Sequence, residues 1–138
     1  LAISKSGEVG DGALSIQAKP LRGSIDQAGG LVFGLRDIGN YFVFRINALE
    51  DNAILFEFIN NNRVERGRCD MPITRSQWHS LEVAVTDNSA SCRVNGTVVF
   101  DYQADRPILG HIGLWTKADS VAQFTRLTDA HGVTSDVT

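Results

Sequence analysis

Two cysteines, three prolines, one methionine and no long apolar run are the first things that bound this sequence of 138 residues. Cys69 and Cys92 stand in unlike contexts without a CxxC spacing, which excludes a zinc cage and a thioredoxin-like motif. They leave either one disulfide or two buried thiols, and two thiols is the expected state. No uninterrupted apolar run approaches the roughly 20 residues that a membrane-crossing helix needs, so no membrane span is expected. Lysines and arginines total 13 against 16 acids, for a net charge of −3, and they are scattered along the chain. Nucleic acid is therefore not an expected partner, because phosphate-backbone binding needs a concentrated basic surface. G-x-S-x-G, a zinc-protease motif and a phosphate loop are all missing, and His79, His111 and His131 lie outside any nucleophile-elbow context.

What is present is ordinary for a globular chain: 43% hydrophobic, 21% charged and 8% aromatic residues. At 138 residues the chain reads as one domain, 1–138, because a second would leave neither half enough buried surface. Residues 130–138 read as a frayed tail. The chain opens on Leu1 rather than methionine, in keeping with a removed signal peptide or tag. The expected location is secreted, periplasmic or cell-surface.

Period-two alternation recurs in short runs separated by turn residues, the pattern of an all-β sandwich or barrel. Ala13 to Lys19 alternates cleanly and Pro20 ends it, while Leu31-Val32-Phe33 is apolar on both faces. Tyr41 to Ala48 places Phe42, Phe44, Ile46 and Ala48 on one face and Tyr41, Val43, Arg45 and Asn47 on the other. Ile54 to Ile59, a turn at Asn60-Asn61-Asn62, and Val64 to Asp70 make a hairpin. Trp78 to Thr86 alternates again, and Asn95-Gly96 between Cys92, Val94, Val98 and Phe100 predicts a type I′ hairpin. Strands around Ile112 to Trp115 and Ala122 to Leu127 bring the total to about ten. Alternation alone leaves open whether they close as one barrel or pack as two sheets.

Four segments in order carry a family likeness: AGGLVFGLRDIGNYFVFRINALEDN from Ala28, QWHSLEV from Gln77, VNGTVVFDY from Val94 and GHIGLWTKADSVAQFTRL from Gly110. Together they resemble a concanavalin A-like lectin/glucanase domain. The nearest likeness is to laminin-G-like domains and to bacterial domains of unknown function akin to the 3-keto-glycoside hydrolase family. The resemblance implies an antiparallel two-sheet jelly-roll sandwich with one convex and one concave sheet. It also implies that the polar concave sheet is where carbohydrate would sit.

On that expectation the candidate ligand-binding residues are Tyr41, Arg45, Asn47 and Glu50, with Lys117 and Asp119 beside them. Guanidinium and amide groups match adjacent sugar hydroxyls, and a tyrosine ring can cover the apolar face of a pyranose. The plain structural alternative is that Arg45 pairs with Glu50 and steadies the loop, and that Asp119 and Ser120 only cap a turn. Trp78 and Trp115 are expected to pack inside. The seven phenylalanines, spread over six strands, are also expected in the core. No catalytic residue is assigned. A glucanase of this fold takes two facing acids from one strand, and Glu57 and Glu82 each stand alone in theirs, expected to face solvent. No cofactor is expected; a structural calcium ion held by some of Asp37, Asp51, Asp101, Asp105 and Asp119 stays open. The function expected is non-catalytic carbohydrate binding. The alternatives are a glycoside-active enzyme and a protein-interaction module, so carbohydrate is the first expected partner and protein the second.

Overall fold

The computed structural model describes residues 2–9, 12–23, 28–116, 120–128 and 134–135, with side chains described within 12–19 and 29–113. Among the described residues twelve strands follow one another: β1 (Ala2–Val9), β2 (Gly12–Gly23), β3 (Ala28–Asp37), β4 (Asn40–Asn47), β5 (Asn52–Ile59), β6 (Asn62–Asp70), β7 (His79–Thr86), β8 (Ser89–Val94), β9 (Thr97–Gln103), β10 (Gly110–Thr116), β11 (Ser120–Thr128) and β12 (Thr134–Ser135). They form two antiparallel six-stranded sheets, ordered β1-β10-β3-β4-β5-β6 and β12-β11-β2-β7-β8-β9. The two-sheet jelly roll expected from the resemblance is the architecture found.

The sheets meet through the faces that alternation assigns. Leu14 and Ile16 of β2, Leu81 and Val83 of β7, and Cys92 of β8 pack against Leu31 and Phe33 of β3, Phe42, Phe44 and Ile46 of β4, and Leu55 of β5. Ring contacts cross this core: Phe44 meets Phe100 edge to face at 5.6 Å, and Phe42 meets Tyr102 at 5.9 Å. The hairpin turns follow from local chemistry. Asn60 and Asn61 adopt φ of 49° and 69°, and Asn95 and Gly96 adopt 51° and 84°, as the tight turns between paired strands require. Asp37 shapes the β3–β4 turn. Its Oδ1 accepts bonds from the Asn40 amide and the Gly39 N–H, both at 2.8 Å, which hold its carboxyl below the usual carboxylate range.

Several expectations are corrected. Pro20 does not end its strand. The partner β7 stops at the pair Ala18↔His79, so no ladder bond is asked of Pro20 on that side, and a register shift in β11 accommodates it on the other. β1 was not anticipated, because AISKSGEV mixes charge with small residues and shows little alternation. Within the expected tail, Thr134 and Ser135 pair with Thr128 and Leu127.

Trp78, expected inside, is 40% exposed. His79 takes the inward position that starts β7, so the preceding Trp78 turns outward, with the Lys19 ammonium 5.8 Å from its ring. The Trp115 and Phe124 side chains lie outside the described residues. Phe56 and Phe58 belong to the outer face of the first sheet, not to the core between sheets, since β5 pairs Phe56 with Val43 and Phe58 with Tyr41. The same register turns Glu57 inward beside Phe42; it is 8% exposed rather than solvent-facing, and Arg66 pairs with it at 2.9 Å. Its buried charge is thus compensated, as burial demands.

The cysteines are both free thiols: Cys92 is buried between the sheets and Cys69 half-buried on β6. Burial, with the nearby Asp101 charge, pushes the Cys92 thiol well above the usual range. Native protein should therefore react with a thiol-specific disulfide reagent at Cys69 alone, and at both cysteines in denaturant. Retention of the native signal in Cys69→Ser would contradict the placement of Cys92.

Candidate functional site

The outer face of the first sheet, turned away from the second sheet, carries two groups of residues at opposite ends of β4. At one end, β4 leads through residues 48–51 into β5 with Asp51 at φ 54°, and three of the candidate residues converge there. Asn47 Oδ1 accepts the backbone N–H groups of Leu49 at 2.9 Å and Glu50 at 3.0 Å, so its side chain builds the turn. Its Nδ2 donates to Glu50 Oε2 at 3.0 Å. Arg45 reaches the same oxygen at 3.5 Å and donates from Nη1 to Asn52 Oδ1 at 3.0 Å. Asp51 ties the turn onward, accepting the Ile73 N–H at 2.9 Å and, through its carbonyl, that of Met71 at 3.0 Å.

The exposures within this network differ sharply. Arg45 is 8% and Asn47 1% exposed, whereas the Glu50 side chain is 50% exposed. Both Glu50 bonds end on Oε2, which leaves Oε1 without a partner among the described residues. The arrangement is a fixed guanidinium and amide holding one carboxylate toward solvent. Arg45 thus pairs with Glu50, as its structural alternative supposed, and the pairing itself presents an acceptor. An acceptor held in place loses little conformational freedom when a hydroxyl binds it.

Tyr41 is not part of this group. It lies four residues back along β4, about 13 Å away at the rise of an extended strand. There it stacks on Phe58 at 4.6 Å, and burial pushes its phenol upward. Between the two ends, Val32, Val43 and Ile54 are fully buried, and Phe56 is covered by the guanidiniums of Arg45 at 5.4 Å and Arg63 at 4.6 Å. Lys117 and Asp119 lie outside the described residues. The strand leading to them ends at the turn, because Thr116 pairs with Gly29 and Ala28 with Asn47.

Sequence reasoning missed Phe56, Phe58, Arg63 and Glu57. The signal available was weak: NAILFEFI is apolar on both faces, so only its partner strands show which way each residue points. For calcium, the described residues contain no cluster of three or more histidine, cysteine, aspartate or glutamate side chains able to hold an ion.

No family model matches the chain, and no curated protein does. Solved structures do match. The carbohydrate-binding module CBM66 from Bacillus subtilis superposes with a TM-score of 0.81 at 20% identity, covering 93% of this chain and 79% of that one. Galectin LEC-6 of Caenorhabditis elegans gives 0.61 at 14% identity, over 88% and 91% of the two chains. A Bacillus licheniformis β-glucanase gives 0.56 at 13% identity, over 83% and 56%. At these identities the likeness is one of fold, the jelly-roll sandwich common to lectins and glucanases.

Proposed function

We propose that this chain is a carbohydrate-binding domain whose ligand lies along the outer face of the first sheet. Arg45, Asn47 and Glu50 engage hydroxyls at the β4–β5 turn, and Tyr41 offers a ring at the other end of β4. Lys117 and Asp119, which follow β10 in sequence and lie outside the described residues, belong to the same proposed set of contacts. The observation that carries the reading is Glu50, half exposed, with one carboxylate oxygen bonded by Asn47 and Arg45 and the other open to a ligand. A preorganised acceptor on the same strand face as the partly exposed Tyr41 ring suits the hydroxyl and C–H surfaces of a sugar. Likeness to a carbohydrate-binding module and to galectins supports the same class of ligand. The domain would act outside the cytoplasm, where polysaccharide is met.

Glu50→Ala is the informative variant. Arg45→Ala also strips a buried partner from Asn52 and costs stability on the order of 1–3 kcal/mol, whereas Glu50 is half exposed. Calorimetric titration with glycans selected on an array should show Glu50→Ala binding about 10- to 100-fold more weakly, the loss of a hydrogen bond to a charged group. Its melting temperature should stay near that of the wild type. Equal affinity would remove Glu50 from the site, and turnover of a glycoside substrate would replace binding by catalysis as the function.

A further inference from the structure

His79 opens β7 with its ring turned inward and 5% exposed, and the groups around it fix which of its nitrogens carries the hydrogen. Asn95 decides the first. Its Oδ1 accepts the Ser80 N–H at 2.9 Å while its own N–H donates to the Ser80 carbonyl at 2.8 Å, so its Nδ2 is left facing His79 Nδ1 at 3.1 Å. An amide nitrogen only donates, which makes Nδ1 the bare acceptor. On the other side, Nε2 lies 2.7 Å from the Thr74 carbonyl, which only accepts, so Nε2 carries the hydrogen. This pattern fits the neutral Nε2–H ring. A protonated ring would aim a second N–H at the Asn95 amide nitrogen.

No charge nearby offsets a positive ring. Lys19 of β2, Glu82 of β7 and Arg93 of β8 alternate with core residues and face outward. Asp70 and Arg75 of the β6–β7 connection and Asp101 of β9 are exposed. On β3 and β4, across the core, Arg36 and Asp37 are exposed and Arg45 lies on the outer face. None of the ion pairs among the described residues involves His79.

His79 also holds a segment with few other holds. Between β6 and β7, residues 72–78 are exposed apart from Ile73, and Ser76 stands at φ 57°, a conformation that side chains disfavour. The Ile73 N–H is tied to the Asp51 carboxylate at 2.9 Å, and the next residue, Thr74, is tied to His79. We infer that His79 is an acid-operated latch. Neutral, it fastens residues 72–78 to the β8–β9 hairpin; on taking a proton it leaves its place and frees both, together with the Ile73 anchor on Asp51, the neighbour of Glu50. Only the open state accepts the extra proton, so closure is favoured above about pH 6.5 and lost as pH falls below it. The latch goes beyond carbohydrate binding and stands whether or not the β4–β5 turn holds a sugar.

Amide hydrogen exchange on the full chain, corrected for the intrinsic effect of pH, tests it at the Ile73, Ser80 and Asn95 N–H groups. Opening should become about tenfold easier for each pH unit below about 6.5, so protection there should fall about tenfold or more between about pH 8 and about pH 5. Amides of β4 should keep theirs. His79→Gln retains one donor and one acceptor but takes no proton, and should abolish the fall. Asn95→Asp sets a carboxylate opposite Nδ1 and keeps a turn-forming pair with Gly96, so acid should raise protection instead. That variant decides the question by itself if His79→Gln does not fold. Protection indifferent to pH in the wild type, a ring nitrogen spectrum with the hydrogen on Nδ1 at about pH 8, or an equal fall in Asn95→Asp would overturn the latch.

Discussion

Replacing Gly110 by alanine should cost about 2–5 kcal/mol, combining backbone strain with overpacking. Gly110 opens β10 at φ 145°, and a Cβ there would stand 2.6 Å from the Leu35 carbonyl oxygen and 2.7 Å from two further backbone atoms of residues 34 and 35. No side chain can rotate aside to relieve that contact. β3 and β10 would have to separate, at the place where β10 bridges β1 to the rest of the first sheet. The control is Gly96→Ala, which also places alanine at positive φ, 84°, but meets nothing within 4 Å. Its cost should be about 1 kcal/mol. Urea unfolding separates the two, and equal midpoints would contradict the close approach of β3 and β10.

Phe44→Ala should cost about 3–5 kcal/mol, the usual range for a large-to-small change at a core phenylalanine. Phe44 is fully buried between the sheets and holds Phe100 at its edge, so its removal opens a cavity that neighbouring strands cannot fill. Typical stabilities are about 5–15 kcal/mol, so the loss is a large share of the total. Phe58→Ala is the comparison. That ring lies half-buried on the outer face, stacked on Tyr41, and its loss should cost less than half as much. The ordering, with similar denaturant slopes, checks the assignment of core and outer face. A costlier Phe58→Ala would place the larger apolar burial on the wrong side of the sheet.

Those two side chains also show what could be read without the structure. Phe44 is legible because Phe42, Phe44 and Ile46 alternate with Val43 and Arg45, and the inward set is what a core packed between two sheets demands. The turns at Asn60-Asn61 and Asn95-Gly96 are legible because asparagine and glycine tolerate the positive φ that those hairpins need. Phe58 and Glu57 were not. Their strand is apolar on both faces, and the face of each residue is decided by pairing with β4, a contact 17 or 15 residues away in sequence. Trp78 failed for a related reason, since His79 competes for the inward position and wins it through bonds to Thr74 and Asn95.

The candidate site divides in the same way. Arg45, Asn47 and Glu50 come together because they lie within six residues of a tight turn, and local reach is enough to connect them. Tyr41 shares their face but not their neighbourhood, because an extended strand carries it away from the turn. The resemblance placed sugar on this sheet; it did not indicate that Asn47 builds the turn or that Glu50 holds the open oxygen.

The most direct test of the outer-face site is backbone amide mapping with the tightest array-selected glycan. Perturbations should follow residues 41–51 along β4 and its turn, and vanish in Glu50→Ala at the turn. Perturbations confined to Gln17, Ser80 and Ser91 on the opposite sheet, or no binding to any glycan, would contradict the account.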